Sequence, residues 1–284
     1  MKIGLKIRTS DVRRRTLFVN RYMRIGLKIK YAWNTPTVIP HLERLKGKID
    51  HFELGIRETE NYKNYDPLKK AETAFTIHAP FQQDGVNLGE ISKDESTRKG
   101  IKYAQEAADY FDAPIIIIHP GSPGAEDFSV EHMIEILKGF KDERFHLENL
   151  SRTPYTIDQM EKIRKESGLE TCLDVGHALI KSATENRDAY EYIKEFSKKC
   201  PPSYFHLHNN DRQTDRHWQV TDPRGFADYN KLKYLFNNNS FITLEISLFG
   251  KDSFEGNTFD AEGALRDVEF VRTRLTPEPW LKNG

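Results

Sequence analysis

Ile115-Ile-Ile-Ile-His119-Pro-Gly-Ser-Pro-Gly124 is the stretch on which the fold turns. Four β-branched residues make a short strand and fall far short of the ~20 that a membrane helix needs. The imidazole ends the run, and Pro and Gly then turn the backbone away from it. The same pattern recurs in Phe75-Thr-Ile-His78, Phe145-His-Leu-Glu148, Cys172-Leu-Asp174-Val-Gly-His177, Phe205-His206-Leu-His208 and Ile242-Thr-Leu-Glu245, with Asp215-Arg-His217 just after the Phe205 run. One such ending is an ordinary hydrogen-bonded side chain. Six of them, on parallel strands closed into a barrel, share the C-terminal rim, where active sites of that architecture sit.

The rest of the chain supplies that barrel. Strand-like runs end near residues 29, 54, 78, 119, 148, 174, 208 and 246. Helix-like spacing fills 92–112, 129–140, 156–167, 184–199, 226–237 and 259–275, a helix-like segment spans Thr35 to Leu45, and 57–72 reads as only partly helical. Ser129 and Thr156 stand as helix N-caps. Eight strands alternating with helices predict an α/β fold, a (β/α)₈ TIM barrel forming a single domain over residues 23–284. A doubly wound sheet, the alternative, does not bring ligands from six strands to one point. Met1-Lys-Ile-Gly-Leu-Lys-Ile7 recurs as Met23-Arg-Ile-Gly-Leu-Lys-Ile29, and only the second copy leads directly into a helix-like segment. Residues 1–22, with adjacent Arg13, Arg14 and Arg15, therefore read as a mobile extension or a start assigned too early.

Composition narrows the function. The 284 residues carry 43 basic and 43 acidic side chains, a balance unlike that of a protein held on nucleic acid by bulk charge. No membrane span or secretion signal is visible, and two cysteines cannot build a disulfide framework, so a cytoplasmic setting is expected.

Strand side chains alternate, so an inward Glu148 brings His146 inward, an inward Asp174 brings Cys172, and His206 and His208 share a face. Imidazoles mixed with carboxylates, with no thiolate at ligand spacing, suit Zn, Mn or Fe better than Ca. Cys172 reads as core packing, and His146 and His208 stand between ligand and support. His41, His51 and His132 lie outside the strand-end pattern, and Glu53 reads as a site-lining or an ordinary rim carboxylate.

Ile77-His-Ala-Pro-Phe81, Ile118-His-Pro-Gly121, Leu147-Glu-Asn149, Leu173-Asp-Val-Gly-His-Ala178, Phe205-His-Leu-His208, Asp215-Arg-His217 and Leu244-Glu245 together resemble the endonuclease IV and xylose-isomerase-like TIM-barrel superfamily, which includes AP endonuclease family 2 and sugar phosphate isomerases and epimerases. The resemblance implies up to three divalent metals, zinc first, with Mn, Mg or Fe as other occupants. One would be held by His78, His119 and Glu148, a second by Glu148, Asp174, His206 and Glu245, and a third by His177, Asp215 and His217. It implies either phosphoester hydrolysis by a metal cluster or isomerisation around one metal with Glu148 and Glu245 passing protons; His206 would be catalytic, as would Arg212, which matches a substrate-binding arginine of some epimerases. The substrate is then a small phosphorylated or sugar compound, or DNA. Departures fall in the loops. Pro80-Phe-Gln-Gln-Asp-Gly-Val-Asn87 replaces a tighter DNA-inserting segment, His206-Leu-His-Asn209 stands where the endonuclease branch has His-Leu-Asn-Asp, and Trp218-Gln-Val-Thr-Asp-Pro-Arg-Gly225 replaces a small Gly-rich turn.

Overall fold

The computed structural model describes residues 23–247 and 259–275; the N-terminal extension expected over 1–22 lies outside them. Eight parallel strands close in chain order: β1 (Arg24–Ile29), β2 (His51–Gly55), β3 (Ala74–His78), β4 (Ile116–Ile118), β5 (Phe145–Glu148), β6 (Glu170–Asp174), β7 (Pro202–Leu207) and β8 (Phe241–Leu244). The pairing of β1 with β8, Ile25 opposite Ile242, completes the ring. This is the (β/α)₈ barrel expected from the strand count.

Helices cover the outside: α1 (Thr35–Val38), α2 (Leu42–Leu45), α3 (Asp94–Tyr110), α4 (Val130–Phe140), α5 (Ile157–Ser167), α6 (Val175–Thr184), α7 (Ala189–Lys199) and α8 (Ala261–Arg274). The expected caps are present. Ser129 Oγ accepts from His132 N at 3.2 Å, and Thr156 and Gln159 exchange hydrogen bonds of 3.2 and 2.9 Å. Three segments differ from the sequence reading. The first helix is broken by a 3-10 turn at Ile39–His41, because Pro40 offers no amide hydrogen. Tyr229–Leu235 is a 3-10 helix where 226–237 reads as α-helical. And α6 is a helix the sequence reading lacked: it starts at the very residue after β6, because Asp174 ends the strand and caps the helix at once, its Oδ1 accepting from His177 N at 2.6 Å.

The alternation of β4 explains its composition. Ile116 and Ile118 face outward into the core shared with the helices, while Ile115 and Ile117 face inward and pack with Cys172 and Tyr204. A strand buried on both faces reads as an unbroken apolar run. Burying each such side chain contributes roughly 1.5–3 kcal/mol. The inward face is otherwise polar, and its lower layer is already occupied by a hydrogen-bonded group. His51 Nε2 lies 2.8 Å from the Thr243 hydroxyl, and the Tyr204 hydroxyl lies 2.6 Å from Thr243, 2.8 Å from Thr76 and 3.2 Å from His51 Nε2. Gly26 makes room for this layer, since a Cβ there would come within 2.4 Å of the His51 ring. His51, given no role by its place in the sequence, is thus a barrel-interior residue.

Candidate metal centre

One turn above that layer, the strand ends bring the predicted residues together. Four imidazoles are oriented in the same way: each donates one N–H to a fixed acceptor and turns its other nitrogen inward. His78 Nδ1 bonds Ala79 O at 3.1 Å, His177 Nδ1 bonds Asn149 O at 2.9 Å, His217 Nδ1 bonds Glu245 O at 2.7 Å, and His206 Nε2 bonds Glu53 Oε2 at 2.8 Å. Donation from one ring nitrogen to a fixed acceptor orients the ring, as in metal-ligating histidines, and leaves the other nitrogen to coordinate once any proton on it is released.

The inward atoms converge in groups. His78 Nε2 and His119 Nε2 lie 3.3 and 3.2 Å from Glu148 Oε2. On the opposite oxygen of that carboxylate, Glu148 Oε1 is 3.4 Å from His206 Nδ1, which is also 3.8 Å from Asp174 Oδ2 and 3.0 Å from Glu245 Oε2. Asp215 Oδ2 sits between His177 Nε2 at 3.2 Å and His217 Nε2 at 3.3 Å, whose rings are 6.5 Å apart. Ligands about 2.0–2.1 Å from a tetrahedral zinc are separated by about 3.3 Å, so these spacings fit a cation. Glu148 Oε1, Asp174 Oδ2, His206 Nδ1 and Glu245 Oε2 are all buried and all without a hydrogen-bond partner. An unpaired buried polar atom costs about 1–3 kcal/mol, and four aimed at one point are a donor set in need of an acceptor. The groups His78/His119/Glu148 and Glu148/Asp174/His206/Glu245 can each hold a metal ion.

The site is electrostatically tense. Burial raises the Glu148 carboxyl, but the His206 and His119 imidazoles outweigh it and hold the group well below the usual carboxylate range. Burial likewise raises Glu245, and Lys28 and His206 bring it well below. Burial lowers His177, yet Asp174, Asp215 and Glu148 hold it well above an ordinary imidazole.

Lys28 is a residue of the cluster that the sequence reading missed. Its ammonium, buried at the top of β1, is 2.8 Å from Glu245 Oε1 and 3.4 Å from Glu53 Oε1. The register carries the signal: it sets Lys28, at an inward position of its strand, level with the Glu53 carboxylate. Glu53 also proves to be more than a rim carboxylate, for it is fully buried and takes hydrogen bonds from His206 Nε2 and, at 2.8 Å, from the Tyr204 hydroxyl. His146 sits below the cluster and bonds Arg144 O at 2.9 Å. Arg212 is turned away: its guanidinium bonds Ser182 Oγ at 3.2 Å and Arg187 O at 3.1 Å and lies over the Phe226 ring, among residues that do not line the cavity.

Two cavities open at the cluster. One, about 140 Å³, is bordered by Lys28, Tyr31 and Arg57, and the other, about 340 Å³, by Asn87, Ser122 and Arg152; His119, His177 and Asp215 line both. Phe81 stands between them, its ring 4.9 Å from that of His119.

A closed parallel barrel with histidines and carboxylates converging at its C-terminal rim defines the class: a TIM barrel built for polar chemistry at one mouth. The chain belongs to the xylose isomerase-like TIM barrel family, whose model matches residues 61–273. Comparison with curated proteins gives no match. Among solved structures, a D-tagatose 3-epimerase-like protein is similar at TM-score 0.60 and 18% identity, covering 89% of this chain and 97% of its own. A Thermus thermophilus protein soaked with zinc chloride gives TM-score 0.63 at 18% identity (88% and 98% covered), and endonuclease IV of Thermus thermophilus gives 0.57 at 15% (88% and 99%). At such identities the likeness is one of fold. The family and these neighbours include enzymes of both kinds named by the sequence resemblance. Among the described residues no helix is long and apolar enough to cross a membrane.

Proposed function

We propose that the chain is a metal-dependent phosphoester hydrolase, with zinc as the leading cation, acting on small or single-stranded substrates. The observation that carries the reading is the two-sided use of Glu148: Oε2 faces His78 and His119 while Oε1 faces His206, so one carboxylate serves two adjoining donor sets. A one-metal isomerase has no use for the first set. Divalent cations bound there would supply charge stabilisation of the phosphoryl oxygens and activation of water at neutral pH. The chain's own residues do the rest. Glu53 holds the His206 ring, Asn149 fixes Asp174 by accepting its amide hydrogen at 2.8 Å and donating to its carbonyl at 2.9 Å, and Lys28 holds one oxygen of Glu245 so that the other faces the site.

Two features argue for a small substrate. The cavities are about 140 and 340 Å³. The loop after His78, held by an ion pair of 3.2 Å between Arg57 and Asp84, carries Gln82 and Gln83 and only one aromatic, Phe81, where a duplex reader would want aromatic or basic wedges. Two buried free cysteines accord with a reducing, cytoplasmic setting. Epimerisation of a sugar is the second reading, favoured by the same small cavities; it would need one cation and a proton-passing Glu245, whose Oε1 is engaged by Lys28. Elemental analysis and a substrate panel separate the two. The expected result is two or three metal equivalents per chain and cleavage of a small phosphodiester, with weak salt dependence on DNA. One equivalent that added metal does not raise, with ketose turnover and no phosphoester cleavage, would sink the hydrolase reading.

A further inference from the structure

The third cluster contains one imidazole more than the family resemblance implies. His208 follows β7 and faces the same way as His206. It is fully buried, and neither ring nitrogen has a hydrogen-bond partner. Nε2 lies 3.1 Å from Asp174 Oδ1 and 3.6 Å from Asp215 Oδ1, and the ring stacks on His217 with centroids 4.3 Å apart. His208 belongs to two metal-capable groups at once, one with Asp174 and His177 and one with Asp215 and His217. The surroundings are shaped around it. Gly176 lends the ring its slot, since a Cβ there would come within 2.1 Å of the imidazole, and the Tyr229 hydroxyl pins the His208 carbonyl at 2.6 Å. An apolar side chain could fill such a slot without leaving two nitrogens unpaired, and unpaired buried groups in folded proteins call for an explanation such as a bound ion.

We propose that His208, through Nε2, is a ligand of the third centre, joining His177, Asp215 and His217. The inference rests on the multi-metal reading above. Its consequence is a division of labour: four protein donors close a site, as in structural zinc, whereas a catalytic site keeps a position for water or substrate. The third cation is then held for structure and charge, and substrate meets the pair of sites joined by Glu148.

The test is a zinc titration of the full chain against a chromophoric chelator, for the wild type and His208→Asn, with melting of both proteins after chelator stripping. Cobalt spectra of the wild type run beside it. The wild type is expected to take three equivalents, and His208→Asn to keep two while the affinity for the third falls more than about a hundredfold, beyond the 10–100-fold that losing a supporting partner costs. The stripped proteins should melt alike, since the lost contact is to a cation. Intense d–d bands from the third cobalt equivalent in the wild type that stay unchanged with pH would report four protein donors, since a bound water would titrate, whether or not the variant folds. Weak bands there, or a variant that loses less than a hundredfold, overturn the assignment of His208 alone. Fewer than three equivalents in the wild type overturn it together with the reading on which it rests.

Discussion

The floor and the rim of this barrel are both built from buried polar side chains, to opposite ends. On the floor, His51, Thr76, Tyr204 and Thr243 hydrogen-bond one another, and of their side-chain atoms only His51 Nδ1 lacks a partner. On the rim, Glu148, Asp174, His206 and Glu245 each turn one unpartnered atom to a common point. Two residues along the same strands separate them, as Tyr204 and His206 or Thr243 and Glu245 illustrate. Polar residues inside a barrel are therefore not in themselves a site. What distinguishes the rim is the hydrogen bonding left undone.

The rim should respond most to loss of its shared carboxylate. Glu148→Gln keeps the shape and removes the charge, so metal should be lost and activity should fall by at least on the order of 10²–10³-fold while the circular dichroism of the barrel is retained; a variant with full metal content and turnover would show that the carboxylate joins no two sites. Glu53→Gln comes next. It weakens the acceptor that orients His206, and the cost should be about 10–100-fold in metal affinity by chelator competition. An unchanged affinity would make Glu53 part of the floor.

The floor should answer to acid. Burial brings the His51 imidazole down to about 4, against the attraction of Glu53. The unfolded chain, with histidine near 6.5, then binds the extra proton first as the pH drops, so this contribution to stability is complete above about pH 6.5 and is lost between there and pH 4. For His51→Gln the fall in unfolding free energy from pH 6.5 to pH 5 should be smaller by about 2 kcal/mol than in the wild type. Parallel urea curves at the two pH values for both proteins would assign the acid sensitivity elsewhere. The smallest effect is expected from a chain shortened to begin at Met23: β1 pairs with both β2 and β8 through residues 24–29, so melting should shift by only a few degrees. A large drop would mean that the first copy of the strand sequence takes part in the barrel.

The rim was legible in the sequence because each ligand-type residue ends an apolar run, and parity along a strand then fixes which neighbours face inward. Lys28 escapes and Glu53 reads either way because both lie inside their runs: Ile29 follows one, and Leu54 and Gly55 follow the other. Their meaning depends on register across strands, Lys28 beside Glu53, which no single segment contains. The helix α6 was hidden for a different reason. Asp174 both ends β6 and caps α6, so no loop residues mark the change of period. Arg212 shows the reverse case, position without direction. The resemblance implied a substrate contact there, while the guanidinium meets Ser182 and the Arg187 carbonyl.

Lys28 also bears on the order of events in the life of the chain. Gathering Glu53, Glu148, Asp174 and Glu245 in one buried place would ordinarily set like charges against each other. Small metal-held domains meet that difficulty by staying unfolded until the ion arrives. Here the strand that opens the barrel carries its own cation, covalently tethered, 2.8 Å from Glu245 and 3.4 Å from Glu53. On the proposed metal-dependent reading, the barrel closes first and is charged afterwards, with a resident ammonium keeping one side of the socket aligned.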